Sequence, residues 1–209
     1  LDNNAPDQPI AVVGVTVEGV TIYAKAEIDP LVDGLVGPSI PLRRIEAARL
    51  ALLKKYRDAN YPLVSVQATR RRDATLQFTV YEGHITSVQL DGDIGPAGTQ
   101  VLRFLNHLTE IRPVDATSLE RWLLLAQDVP GIALQAVLRP SETDPGAITL
   151  VATVSRSAIT GLYTADNRAY PLTGPEQGLA IVDFNSFSSL GERTELSLYH
   201  TFNATQIFG

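Results

Sequence analysis

Hydrophobic and polar positions alternate along this chain in blocks that change period. Residues 10–20, IAVVGVTVEGV, are valine-rich and end in Glu-Gly, which predicts a strand and a turn. A short helix is expected over 25–36, weakened by Pro30 and Gly34, before Gly37-Pro38 breaks the chain. From Pro41 the period becomes helical. Leu42, Ile45, Ala48, Leu52 and Tyr56 recur at three- and four-residue steps, with Leu53 widening the stripe and Arg43, Arg44, Glu46, Lys54 and Lys55 mostly outside it. Asn60-Tyr61-Pro62 ends that helix. Two period-2 segments follow, Val64–Ala68 and Leu76–Tyr81, as in a half-buried antiparallel pair.

The order then repeats. Ile85–Leu90 reads as a strand closed by Asp91-Gly92, and residues 97–108 as a short amphipathic helix through Val101, Leu102, Leu105 and Leu108. Thr117-x-x-Glu120 is a capping-box pattern opening a second helix, which Pro130-Gly131 ends. Ile132–Leu138 and Ile148–Val154 alternate as strands around Asp144-Pro145-Gly146. Val17-Glu18-Gly19 aligns with Leu90-Asp91-Gly92, and Arg57-Asp58 with Gln127-Asp128. A β-α-α-β-β unit therefore occurs twice, and each can close its own core with two helices on one face of a three-stranded sheet. The expected layout is a linker over 1–9, domains over 10–84 and 85–156, and a remainder over 157–209.

The remainder has no helical period. Segments 157–168, 177–188 and 193–205 alternate instead, separated by connections holding Pro171, Gly174-Pro175 and Ser188–Gly191. Strands of this length with one apolar face suit a transmembrane barrel, and suit a soluble antiparallel meander equally well.

Composition narrows the picture. With 44% hydrophobic and 19% charged residues the chain folds, and a net charge of −6 without a basic footprint argues against nucleic-acid binding. The basic run Arg70–Arg72 reads as a solvated hairpin turn. The absence of cysteine removes disulfides and thiol chemistry, and the first residue, Leu1, predicts a processed or excised chain. His84, His107 and His200 stand apart, and the acidic pairs Asp91/Asp93 and Glu192/Glu195 sit at turns. Trp122 falls on the apolar face of its helix and reads as core. No catalytic group, metal set or cofactor motif emerges, so the expectation is no enzyme and no cofactor. The architecture suggests binding instead, because a three-stranded sheet leaves edges that can take an added strand.

Four stretches carry a resemblance: YRDANYPLVSVQ (56–67), TLQFTVYEGHITSVQLDG (75–92), LERWLLLAQDVPGIALQAVLRP (119–140) and AITGLYTADN (158–167). Together they resemble the two-partner secretion transporters (TpsB proteins) of Gram-negative outer membranes, which export haemolysins and filamentous-haemagglutinin-like adhesins. Asn60 stands where that family has Gly, a change that left-handed backbone tolerates. The resemblance implies an α+β chain of two tandem periplasmic POTRA domains followed by the opening strands of an incomplete outer-membrane β-barrel. It implies as partner the unfolded secretion domain of an exoprotein (TpsA type), with lipid met through the full barrel. The alternative is the POTRA module of an outer-membrane protein assembly factor. Strand addition would use Val64, Ser65, Val66, Gln67 and Ala68 in the first domain, and Ala133, Gln135 and Val137 in the second. Proline at Val66 or Gln135 should then weaken binding, and open strand edges should favour self-association.

Overall fold

The computed structural model describes residues 9–92, 94–168, 175–201 and 207–208. Linker residues 1–8, Asp93, the connection residues Pro171 and Gly174, and residues 202–205 of the last predicted strand lie outside them. In chain order the elements are β1 (Ile10–Val12), β2 (Gly14–Glu18), α1 (Lys25–Val32), β3 (Gly37–Ile40), α2 (Leu42–Asp58), β4 (Val64–Arg70) and β5 (Thr75–Glu82). There follow β6 (His84–Asp91), α3 (Ala97–Asn106), a 3-10 turn at His107–Glu110, α4 (Ala116–Gln127), β7 (Ile132–Pro140) and β8 (Ala147–Arg156). The chain continues through β9 (Ile159–Asp166), β10 (Gln177–Asn185), β11 (Arg193–Thr201) and β12 (Ile207–Phe208).

Two three-stranded sheets share one topology, β2-β5-β4 and β6-β8-β7. In the first, β2 runs parallel to β5 and β4 antiparallel to it. The sequence-aligned glycines Gly19 and Gly92 play one role in the two copies. Both hold left-handed φ, +83° and +117°. A Cβ there would stand 2.1 Å from the Val80 carbonyl oxygen and 2.3 Å from that of Val154. Only glycine closes so tight a turn beside the central strand.

By compactness the chain divides into two units. The first holds Leu1–Ser87, Leu108–Arg121 and Leu138–Leu150; the second holds Val88–His107, Trp122–Val137 and Val151–Gly209. In the first unit Leu52, Tyr56, Leu76 and Phe78 are buried in one apolar cluster that also takes Ile45, Ala48, Val64 and Val66. The predicted stripe of α2 supplies it from Ile45 to Tyr56, while Leu42 at the start of the helix is exposed.

Four local expectations change. Residues 10–20 form two strands, and Gly37-Pro38 sits not in a break but in β3, which pairs with β1 through Ile10↔Ile40. The cap of α4 is Asp115, not Thr117: the Ser118 N–H and hydroxyl donate to its carboxylate at 2.8 and 2.7 Å. Thr117 instead accepts from the Asn60 side chain at 2.8 Å. Trp122 is half-buried and stacks on His107, their ring centres 4.2 Å apart.

In the second unit the four-stranded sheet has the order β12-β11-β10-β9, all antiparallel. Its register puts Tyr163, Ala180 and Leu198 side by side, and likewise Gly161, Val182 and Leu196. This apolar face meets solvent: Tyr163 is 65% exposed, Leu196 61% and Leu198 50%. The opposite face carries polar pairs, with Arg193 on Asp183 at 2.9 Å, Gln177 donating to Asp166 at 2.8 Å and Tyr199 donating to Gln177 at 2.7 Å.

Candidate polypeptide-binding edges

Which backbone groups face an open edge follows from the ladder. In an antiparallel pair, residues that exchange hydrogen bonds alternate with residues whose N–H and C=O point away from the partner. Arg71 N–H donates to the Thr75 carbonyl at 2.8 Å, and the register pairs Val66 with Val80. Counting back from Arg71, Ser65 and Gln67 bond to β5, while Val64, Val66 and Ala68 point their backbone groups outward. The Arg49 guanidinium confirms this from outside, donating to the Val66 carbonyl at 3.3 Å. Arg70 at the far end of β4 donates to the Ala11 carbonyl. The side chains alternate with the same period as far as Gln67, Val64 and Val66 being buried and Ser65 and Gln67 exposed, after which Ala68 is exposed too.

In the second sheet β7 is likewise the edge. Ser157 N–H donates to the Gly131 carbonyl at 2.8 Å and Ser141 N–H to the Ala147 carbonyl at 2.9 Å. Both bonds fix the same parity. Ala133, Gln135 and Val137 bond inward to β8, and Ile132, Leu134, Ala136 and Leu138 turn their backbone groups to the open side. The predicted trio therefore presents exposed side chains, Val137 being 54% exposed, but not the edge donors. Proline at Gln135 would break the sheet itself, whereas proline at Ala136 removes an outward N–H.

The edge of β4 is guarded. Arg49 grips Glu46 through two bonds of 2.8 and 2.6 Å while it reaches Val66. The hydrogen bond from Arg49 holds the Glu46 carboxyl below its usual range against the opposing effect of burial. Sequence reading missed Arg49. Its three-residue spacing from Glu46 signals a helix ion pair, but not the strand it reaches.

Behind β4 and β5 the family motifs meet. The Tyr56 hydroxyl donates to Glu82 at 2.6 Å, and Thr21 donates to the same carboxylate through its N–H at 2.8 Å and through its hydroxyl. Burial, and then Glu82, push the Tyr56 hydroxyl pKa well above the tyrosine range. Tyr61 packs edge-on against Tyr56. Asn60 takes the left-handed φ of +70° that its place in the motif demands. Its carbonyl accepts from Ala116 N–H at 2.9 Å, and that of Gly83 from Val114 N–H at 3.0 Å. The two motif ends thus dock the segment that leads into α4.

Residues 10–83 match the family described as POTRA domain, ShlB-type. No curated protein matches the chain. Among solved structures the chain is similar to CdiB from Escherichia coli, at 19% identity and a TM-score of 0.70, over 95% of this chain and 37% of that one. CdiB from Acinetobacter baumannii is similar at 11% identity and a TM-score of 0.51, over 92% of this chain and 38% of that one. The N-terminal domain of Omp85 from Thermosynechococcus elongatus is similar at 16% identity and a TM-score of 0.54, over 72% of this chain and 67% of that one. The chain thus spans little more than a third of either CdiB. Residues 10–83 thus match the ShlB-type POTRA family model, and over 95% of its length the chain shares the fold of the corresponding third of CdiB from Escherichia coli.

Proposed function

We propose that this chain is the polypeptide-binding part of an outer-membrane transporter that recognises a haemolysin- or adhesin-type exoprotein and secretes it. Residues 10–84 and 85–156 are then two periplasmic POTRA domains, and residues 157–209 are strands of the barrel wall. The carrying observation is the open edge of β4, with the backbone groups of Val64, Val66 and Ala68 aimed outward in a ShlB-type POTRA fold. An unfolded segment adds there as a further strand through main-chain hydrogen bonds, and this needs no particular sequence in the client. The edge of β7 offers a second such surface. The apolar face of β9–β11 is the lipid face, a role that its exposure in the second unit supports.

The test is binding of the unfolded amino-terminal secretion domain of the exoprotein from the neighbouring gene, followed by fluorescence anisotropy. Val66→Pro and Ala136→Pro should each weaken binding about fivefold, the equivalent of one net hydrogen bond of about 1 kcal/mol. Undiminished binding by the double variant rejects strand addition. The likeness to the Omp85 domain supports an assembly-factor reading, in which unfolded barrel proteins would compete with the secretion domain for the same edges.

A further inference from the structure

The strongest unexplained cluster lies in the second unit, where the β10–β11 turn meets the turn that opens β7. Ser186 is fully buried and holds a left-handed φ of +51°, unusual for a residue with a Cβ. Its hydroxyl donates to the Pro130 carbonyl at 2.7 Å, and its N–H to the Glu192 carbonyl at 2.7 Å. Asn185, also buried, donates its side-chain amide to the Ser157 carbonyl and to the Thr160 hydroxyl, each at 3.2 Å. Its own carbonyl accepts from Arg156 Nε at 3.2 Å and Nη2 at 2.9 Å. That guanidinium also stands 5.0 Å from the Phe187 ring.

The fit leaves no slack. At Gly131, with φ +77°, a Cβ would lie 2.5 Å from the Ser157 carbonyl oxygen and 2.6 Å from Asn185 Cβ. At Gly191 it would lie 3.2 Å from Val129 and 3.3 Å from Gln100 Cγ. A strained residue held by Pro130 and Glu192, beside an Asn185 held by Ser157, Thr160 and Arg156, marks a contact that the surroundings over-determine.

Every carbonyl at the start of β7 is therefore occupied: Val129 by Ile132 N–H at 3.0 Å, Pro130 by Ser186, and Gly131 by Ser157. The first outward N–H beyond this cluster is that of Leu134. We infer that Val129-Pro130-Gly131 is a permanent seat for the β10–β11 turn, and that a polypeptide adds to β7 only from Leu134 to Leu138 while the turn stays seated. The second half of this inference rests on the strand-addition reading above; the first half does not.

The natural chain has no cysteine, so an introduced pair reports cleanly. An ideal Cβ at Gly191 lies 3.7 Å from Gln100 Cβ, within the roughly 3.5–4.5 Å that a disulfide spans. The full chain carrying Gln100→Cys and Gly191→Cys should close one intramolecular disulfide under mild oxidation. Ser186→Ala in that background should slow closure at least about threefold. A folded double-cysteine protein that stays reduced overturns the seat. Amide exchange on the natural chain guards against strain from Gly191→Cys. The Ser186 and Ser188 amides, both bonded to Glu192, should be protected as well as those of β8. Exchange at open-loop rates also overturns the seat. The locked and reduced forms are then titrated with the unfolded secretion domain. Equal Kd within about twofold supports a seat that persists during binding, and a tenfold loss on locking overturns it. If neither form binds, the strand-addition reading falls and takes the Leu134–Leu138 assignment with it, while disulfide closure still judges the seat.

Discussion

The sheet of β2, β5 and β4 and the four-stranded sheet solve opposite problems with the same alternating strands. In the first, Leu52, Tyr56, Leu76 and Phe78 are buried against helix α2, and ion pairs such as Lys54–Asp58 stay on the surface. In the sheet the order is inverted. Its buried side chains, among the described residues, include Asn185 and Thr201, and the adjoining turn buries Ser186, while Leu196 and Leu198 face outward. The difference shows that period-2 patterning specifies two faces but not what covers each. A helix covers one apolar face, and bilayer lipid covers the other in the function proposed above.

Removing core volume should separate the two regions most. Phe78→Ala should cost about 3–5 kcal/mol in urea denaturation, because a fully buried ring leaves a cavity. A loss under about 1 kcal/mol would mean that the first domain has no tight core.

The next effect concerns the motif hydrogen bond. Tyr56→Phe should cost about 1.5–3 kcal/mol, the range for a hydrogen bond to a charged group. Folding raises the Tyr56 pKa above its ordinary 10.0, so its contribution is complete below pH 10 and falls as the unfolded chain ionises above it. The natural protein should therefore lose stability in alkaline solution more steeply than Tyr56→Phe, as equilibrium unfolding across that pH range would record.

The α4 cap should matter less. Asp115→Ala should cost about 1 kcal/mol at neutral pH. Hydrogen bonds from Ser118 lower the Asp115 pKa below its ordinary 3.8, so the cap's contribution is present above that value. It fades as pH falls through the folded value, and the gap between natural and variant protein should close in acid.

Leu196→Ser on the outward face should change stability in water by less than about 0.5 kcal/mol. The same change should lower partition into phosphatidylcholine vesicles. A large destabilisation in water would show that this face is packed against protein, and would undo the contrast between the two regions.

Much of this was legible in the residues. The stripe of α2 is, from Ile45 to Tyr56, the buried face of the helix. The Arg70–Arg72 run lies at the β4–β5 hairpin. Asn60 adopts the left-handed backbone that its motif position requires. These features depend on local period and local sterics, which a sequence displays. The Asp115 cap was missed because Thr117-x-x-Glu120 also satisfies the capping pattern, and the tie was broken by Asn60, far away in sequence, which takes the Thr117 hydroxyl.

The candidate edges show where the sequence stops. Alternation identified β4 and β7 and divided their side chains into buried and exposed sets. It could not say on which side of each strand its partner lies. A residue's N–H and C=O point to the same side, and that side alternates in step with its side-chain face. Once β5 and β8 take the central places, Val64, Val66, Leu134 and Ala136 turn their backbone groups to the open side, while Ser65, Gln67, Ala133 and Gln135 bond inward. The seat of Ser186 on Pro130 joins residues distant in sequence and leaves no periodic trace. The sequence by itself determined the elements and the order in which they repeat. Only the tertiary structure decided which hydrogen-bonding groups remain open, because that depends on which strands occupy the remaining sides.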